Sequence, residues 1–263
     1  VMLMGASVSF AITSQTDSAW LGLLAGAVVG GLFNMVFAFV VVTRRANQLA
    51  AGLALMFFGQ GLSALLGKPF VGAQIDGFNE IPIPILKDIP IVGPVLFSHD
   101  ILVYLVVPTA ILVWWVLFRT RWGLNIRTVG ESPTTAFAAG RNPALLKYEA
   151  LLVAGILGGI AGAHLSLAFT KTWTEDMTAG RGFIAVALVI FSMWRPLRTI
   201  VGALLFGGAV ALQLQLQAMG VAVSPFILDM LPYLLTLVVL IVWGRTQKYA
   251  APAWLGRSYE GVE

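Results

Sequence analysis

Residues 19–42 read AWLGLLAGAVVGGLFNMVFAFVVV, an apolar run with one amide, Asn34, and no charge. At about 1.5 Å per residue such a run crosses a hydrocarbon core of about 30 Å. Its apolar residues do not alternate with period two, so it reads as a helix and not as a barrel strand. In lipid a helix satisfies its own backbone donors and acceptors, which is why this stretch decides the fold class.

Working outward, further apolar segments lie at 48–66, 99–118, 148–169, 199–216 and 226–243. Residues 2–13 read as the tail of a first helix, and the N-terminus of the natural protein is expected to extend further. The piece 182–194 is short, and is either a tilted span or a re-entrant segment. Composition agrees: 59% of the 263 residues are hydrophobic and 11% charged, where a soluble domain carries about 25% charge. The expectation is an all-α, polytopic transmembrane bundle of about seven or eight hydrophobic segments, forming one domain over 1–263.

The charges orient the segments. If the loop 43–47 is cytoplasmic and the spans alternate, the inner side receives Arg44, Arg45, Arg119, Arg121, Arg127, Arg141, Lys147, Arg195, Arg198, Arg245, Lys248 and Arg257. The outer side receives Lys68, Lys87, Lys171 and Arg181. This asymmetry follows the positive-inside rule. It makes 67–98 a proline-rich outer loop, 119–147 the long inner loop and 244–263 a cytoplasmic tail. Tryptophans at 20, 114, 115, 122, 173, 194 and 243 fall near span ends, as an interfacial belt requires.

Within the inner loop, Ser132 is placed to cap a helix with Pro133 in its first turn and Gly140 as its stop. Glycines recur at spacing four, in Gly22, Gly26 and Gly30, and in Gly155 with Gly159 and Gly158 with Gly162. Such ridges let helix backbones approach closely, and are read as intramolecular packing in preference to a dimer interface.

Chemistry of the chain's own is not visible. The absence of cysteine excludes disulfides and thiolate metal sites. His99 and His164 lack a companion at metal-ligand spacing, so neither a metal nor a catalytic set is assigned. The stretch Gly61 to Gly67-Lys68-Pro69 has the wrong glycine spacing for a phosphate loop and a proline after the lysine. The net charge of +4 gives no reason to expect nucleic acid. Polar residues inside spans are costly and often line a path. Asn34, Gln60 and Gln213, with the aromatics Phe57 and Phe183, are the candidates for a neutral, hydroxyl-rich solute. Helix–helix hydrogen bonding is the competing role for each amide.

Gly123-Leu124-Asn125-Ile126-Arg127-Thr128-Val129-Gly130-Glu131-Ser132-Pro133, followed by Ala136, Ala139 and Gly140, resembles the cytoplasmic loop of bacterial ABC importer permeases of the branched-chain amino acid, ribose and nucleoside type. Gly180-Arg181-Gly182-Phe183 with Trp194-Arg195-Pro196, and Gly202-Ala203-Leu204-Leu205-Phe206-Gly207-Gly208, look like the nucleoside and simple-sugar branch. Val1-Met2-Leu3-Met4-Gly5-Ala6 resembles the end of an N-terminal segment of that branch. Position 141 is Arg where the family has an apolar residue.

The resemblance implies a transmembrane permease subunit in the bacterial plasma membrane. It would bind no cofactor itself, with ATP and Mg on a partner ATPase. Gly130, Glu131, Ser132, Pro133, Ala136, Ala139 and Gly140 would form or flank the coupling helix that docks on that ATPase. A second homologous permease, identical or different, and a substrate-binding protein or lipoprotein would complete the assembly. A stand-alone secondary carrier or channel for a neutral polar solute is the alternative.

Overall fold

Helix α2 (Ala19–Ala38) shows how the bundle is built. Gly22, Gly26, Gly30 and Phe33 are buried, while Leu24, Val28, Leu32 and Val36 are exposed. Residues two apart on a helix point in nearly opposite directions, so one face is a glycine groove and the other an aliphatic stripe. The groove receives protein. The stripe is the surface that a hydrocarbon solvent covers.

In this computed structural model the described residues are 1–82, 98–178, 180–220, 227, 230, 234–235, 237–238, 241 and 251–257. The α-helices whose bounds lie within these residues are α1 (Met2–Thr16), α2, α3 (Gln48–Gly67), α4 (Ile101–Arg119), α5 (Arg121–Glu131), α6 (Pro133–Ala138), α7 (Pro143–His164), α8 (Arg181–Phe191) and α9 (Pro196–Ala218). Two three-residue strands, β1 (Glu80–Pro82) and β2 (Ser98–Asp100), pair antiparallel with Ile81 opposite His99. Among the described residues, five stretches are long and apolar enough to cross a membrane: Ala19–Thr43, Gln48–Phe70, Ile101–Arg119, Pro143–Phe169 and Pro196–Ala218. The segment expected at 226–243 lies largely outside the described residues.

The chain groups into two compact units, the first made of residues 1–105, 125–179 and 254–263, the second of 106–124 and 180–253. In the first, α1, α2 and α7 pack against one another, and α3 packs on α1. The glycine ridges make this possible. A Cβ on Gly5 would lie 2.5 Å from the Gly159 carbonyl oxygen, one on Gly30 would lie 2.5 Å from that of Gly155, and one on Gly155 would lie 2.6 Å from that of Gly30. Gly162 meets the backbone of Met2 and Ala6 in the same way. The ridges are therefore intramolecular, as their spacing suggested.

Both long partners end in a π-helical turn, α2 in Phe39–Thr43 and α7 in Leu165–Phe169. The second turn leaves the Leu167 carbonyl to accept the Phe78 N–H at 2.9 Å. Two connections are thereby joined: Ile75 N–H bonds the Lys171 carbonyl at 3.2 Å, and Lys171 Nζ reaches Asn79 Oδ1 at 2.6 Å. Trp173 is fully buried between them, against Leu3, Ala6 and Phe10. Residues 170–178 thus form a packed connection ahead of α8.

In the second unit, α8 opens at Gly180, whose φ of 76° suits glycine, and closes at Phe191. Eleven residues rise only about 16 Å, about half of a hydrocarbon core. Met193 and Trp194 take left-handed conformations, and Pro196 starts α9. The two helices pack through Ala187 and Phe206, both buried.

Two boundaries differ from the sequence reading. α7 begins at Pro143 and not near 148, because Asn142 accepts the N–H groups of Ala144 and Leu145 at 3.0 and 3.2 Å, and proline fits the first turn. Between α4 and α6, the structure adds the helix α5. A search for unbroken apolar runs passes over it, because its apolar residues are interleaved with charged and polar ones.

Candidate functional site

The loop that the charge pattern singles out is built by local hydrogen bonding. Thr120 caps α5 by accepting the Gly123 N–H at 3.1 Å. At the other end, Ser132 N–H bonds the Thr128 carbonyl at 2.8 Å, and Ser132 Oγ accepts the Thr135 N–H at 3.2 Å. Thr135 Oγ1 also donates to Ser132 Oγ, at 2.9 Å. One serine therefore ends α5 and starts α6. Pro133 needs no N–H partner in the first turn.

α6 stops at a Schellman motif. Gly140 has φ 73°, its N–H donates to the Phe137 carbonyl at 2.8 Å, and the Arg141 N–H donates to the Ala136 carbonyl at 3.0 Å. Arg141, the departure from the family pattern, contributes its backbone N–H to this stop, a task open to any residue but proline. Asn142 and Pro143 then open α7. Helix, stop and next cap follow one another directly along the chain.

The structure brings Gly130, Glu131, Ser132, Pro133, Ala136, Ala139 and Gly140 into one turn-helix-turn and gives them different faces. Pro133 is buried, and Ala136 is 1% exposed. Thr134, Thr135, Phe137 and Ala138 are exposed. Phe137 is 50% exposed and forms the apolar knob of the outward face. The sequence reading passed it over. The spacing of Pro133 and Ala136, three apart on one helix face, leaves Phe137 on the other.

The proposed path residues are spread over both units. In the first unit Asn34 Nδ2 donates to the Leu151 carbonyl, tying α2 to α7. Gln60 Nε2 lies 3.4 Å from Asp176 Oδ1, tying α3 to the connection that holds Trp173. Phe57 is 64% exposed on α3. In the second unit Phe183 is 67% exposed on α8, and Gln213 is half-buried on α9. Two other polar residues within the helices also have partners. Ser166 Oγ donates to the Ala6 carbonyl at 3.0 Å, and His164 Nε2 meets Asp100 Oδ2 at 3.2 Å. Asp100 Oδ1 meanwhile accepts the Leu102 and Val103 N–H groups at 2.9 and 3.3 Å and caps α4. Helix-to-helix or helix-to-connection bonding thus accounts for Asn34, Gln60, His164 and Ser166.

Residues 1–242 match the family described as branched-chain amino acid transport system / permease component. The chain belongs to that family. Among relatives of this permease is a putative glucose ABC transporter permease protein of Haloferax volcanii, 37% identical over 98% of this chain and 86% of the relative. A nucleoside ABC transporter permease protein of Lactococcus lactis is 34% identical over 92% and 81%. A guanosine ABC transporter permease protein of Bacillus subtilis is 33% identical over 84% and 72%. No solved structure matches the chain. The protein is a multi-pass ABC transporter permease, a transport subunit and not an enzyme of the catalytic kind. A stand-alone carrier or channel is not what these relatives are.

Proposed function

We propose that this permease imports a nucleoside or a simple sugar in a bacterial plasma membrane, driven by a partner ABC ATPase that docks on α6. The observation that carries the reading is the doubly capped α6, with Phe137 turned outward, in a chain whose relatives are nucleoside, guanosine and glucose permeases. A short helix closed at both ends by its own hydrogen bonds transmits a push as a unit instead of unwinding. The charge asymmetry supports placing loop 119–147 and the tail on the cytoplasmic side. ATP and Mg belong to the ATPase in this reading. A second permease, identical or homologous, and a binding protein or lipoprotein complete the transporter.

Asn34, Phe57, Gln60, Phe183 and Gln213 remain the candidate path. For Asn34 and Gln60 the role requires exchanging an intramolecular hydrogen bond for one to solute as the helices move. Proteoliposomes holding the permeases, the ATPase and the binding protein test the proposal with labelled guanosine, cytidine and glucose. ATP-dependent uptake of one of these is expected. Uptake that proceeds without the ATPase sinks the coupling reading, and ATP-driven uptake of branched-chain amino acids alone sinks the solute class.

A further inference from the structure

The residues Trp254 to Arg257, far along the chain from α6, lie against the same loop. Trp254 N–H donates to the Gly130 carbonyl at 3.0 Å. Lys147 Nζ stands 5.9 Å from the centroid of the Trp254 ring, and the Arg257 guanidinium 5.7 Å from it. The Arg257 carbonyl accepts Gln48 Nε2 at 2.6 Å. Gly130 lies just before the Ser132 cap, Lys147 is in the first turns of α7, and Gln48 is the first residue of α3. One short segment therefore touches the entry to α6, the helix that follows its exit, and a neighbouring helix start.

α6 has six residues. A helix that short has little cooperative stability of its own, so its position is set by whatever holds its two ends. Its caps fix its shape. They do not prevent the unit from swinging about the Glu131–Ser132 and Arg141–Asn142 joints. Trp254 bridges those joints, by a backbone bond on one side and a ring under an ammonium group on the other.

We propose that Trp254 is a positioning residue for transport coupling, a strap that makes α6 move with α7. The proposal rests on reading α6 as the helix that meets the ATPase. Without the strap, a push on α6 is partly absorbed at its joints before it reaches α7 and the helices α7 packs on.

These 263 residues hold no cysteine, so a nitroxide on Ala138→Cys, which is exposed on α6, reports the mobility of this helix in the permease in proteoliposomes. Trp254→Ala is expected to sharpen the spectrum, and Trp254→Tyr, which retains a ring over which a cation can sit, to restore it. In the complete transporter, solute moved per ATP hydrolysed should fall about fivefold in Trp254→Ala, the scale of one lost cation–π contact, and recover in Trp254→Tyr. Lys147→Met leaves the backbone bond in place and carries the test if Trp254→Ala does not accumulate. It too should mobilise the label. An unchanged spectrum in these variants overturns the strap. A mobilised label with an unchanged transport ratio overturns its coupling role. Uptake by the parent transporter that needs no ATPase sinks the proposed function instead, and the label then decides the strap alone.

Discussion

The α1–α2–α7 core and the α5–α6 loop are held together by opposite means. In the core, glycine stands against glycine, and the spacing is set by backbone atoms that cannot move aside. In the loop, Ser132, Gly140, Asn142 and Trp254 hold the chain through a few local hydrogen bonds and one ring, with open space around Gly140. The core tolerates almost no added volume. The loop tolerates volume and responds to the loss of individual contacts. A permease has use for both, since rigid helices can transmit a displacement only if the piece that receives it is well positioned but accessible.

The largest expected effect comes from breaking the core. Gly159 faces the Gly26 carbonyl and the Gly30 backbone, so Gly159→Leu should abolish folded permease, read as loss of the monodisperse peak in detergent. Overpacking typically costs about 1–3 kcal/mol even where side chains can yield, and here the obstacle is backbone. Its neighbour Gly158 meets only the Val1 side chain, at 3.1 Å. Gly158→Ala should therefore keep most of the yield, and an equal loss in both variants would dissolve the contrast.

In the loop, Phe137→Asp should leave yield and thermal stability unchanged and lower ATPase association in a pull-down about tenfold or more, since buried aromatic anchors at interfaces carry about 2 kcal/mol or more. Undiminished association would remove α6 from the interface. Gly140→Ala places a Cβ in the left-handed region at a cost of about 1–2 kcal/mol, with nothing nearby to clash. Uptake should fall several-fold while membrane insertion is normal. Ser132→Ala removes one cap, worth about 1 kcal/mol, and should give the smallest loss of uptake, about fivefold at most. A Ser132→Ala defect larger than that of Gly140→Ala would mean that the start of α6, and not its stop, sets its position.

Much of this was legible in the residues. The apolar run 19–42 named its own solvent, and Ser132-Pro133 with Gly140 marked α6 to within a residue, because caps act over three or four positions of chain. α5 was hidden because its pattern is amphipathic, whereas a span shows itself by continuous apolarity. Phe137 was hidden for a related reason. Its proposed role rests on facing outward, and a six-residue helix offers too few positions for periodicity to show a face. The role of Asn34 was stated as two alternatives and His164 was given no role, since an amide or imidazole in a span carries no mark of its partner. Leu151 and Asp100 lie far along the chain from them.

The amino-acid sequence by itself determined that the chain enters a membrane, where its long apolar runs lie and where the loop helix α6 starts and stops. Those are consequences of hydrophobicity summed along the chain and of hydrogen bonds between near neighbours. Only the tertiary structure decided that Gly26 and Gly30 meet Gly155 and Gly159, that Asp100 both caps α4 and holds His164, and that Trp254 lies against Gly130. Each of these joins residues distant in sequence, and their partners are chosen by how helices pack in three dimensions, which local propensity does not encode.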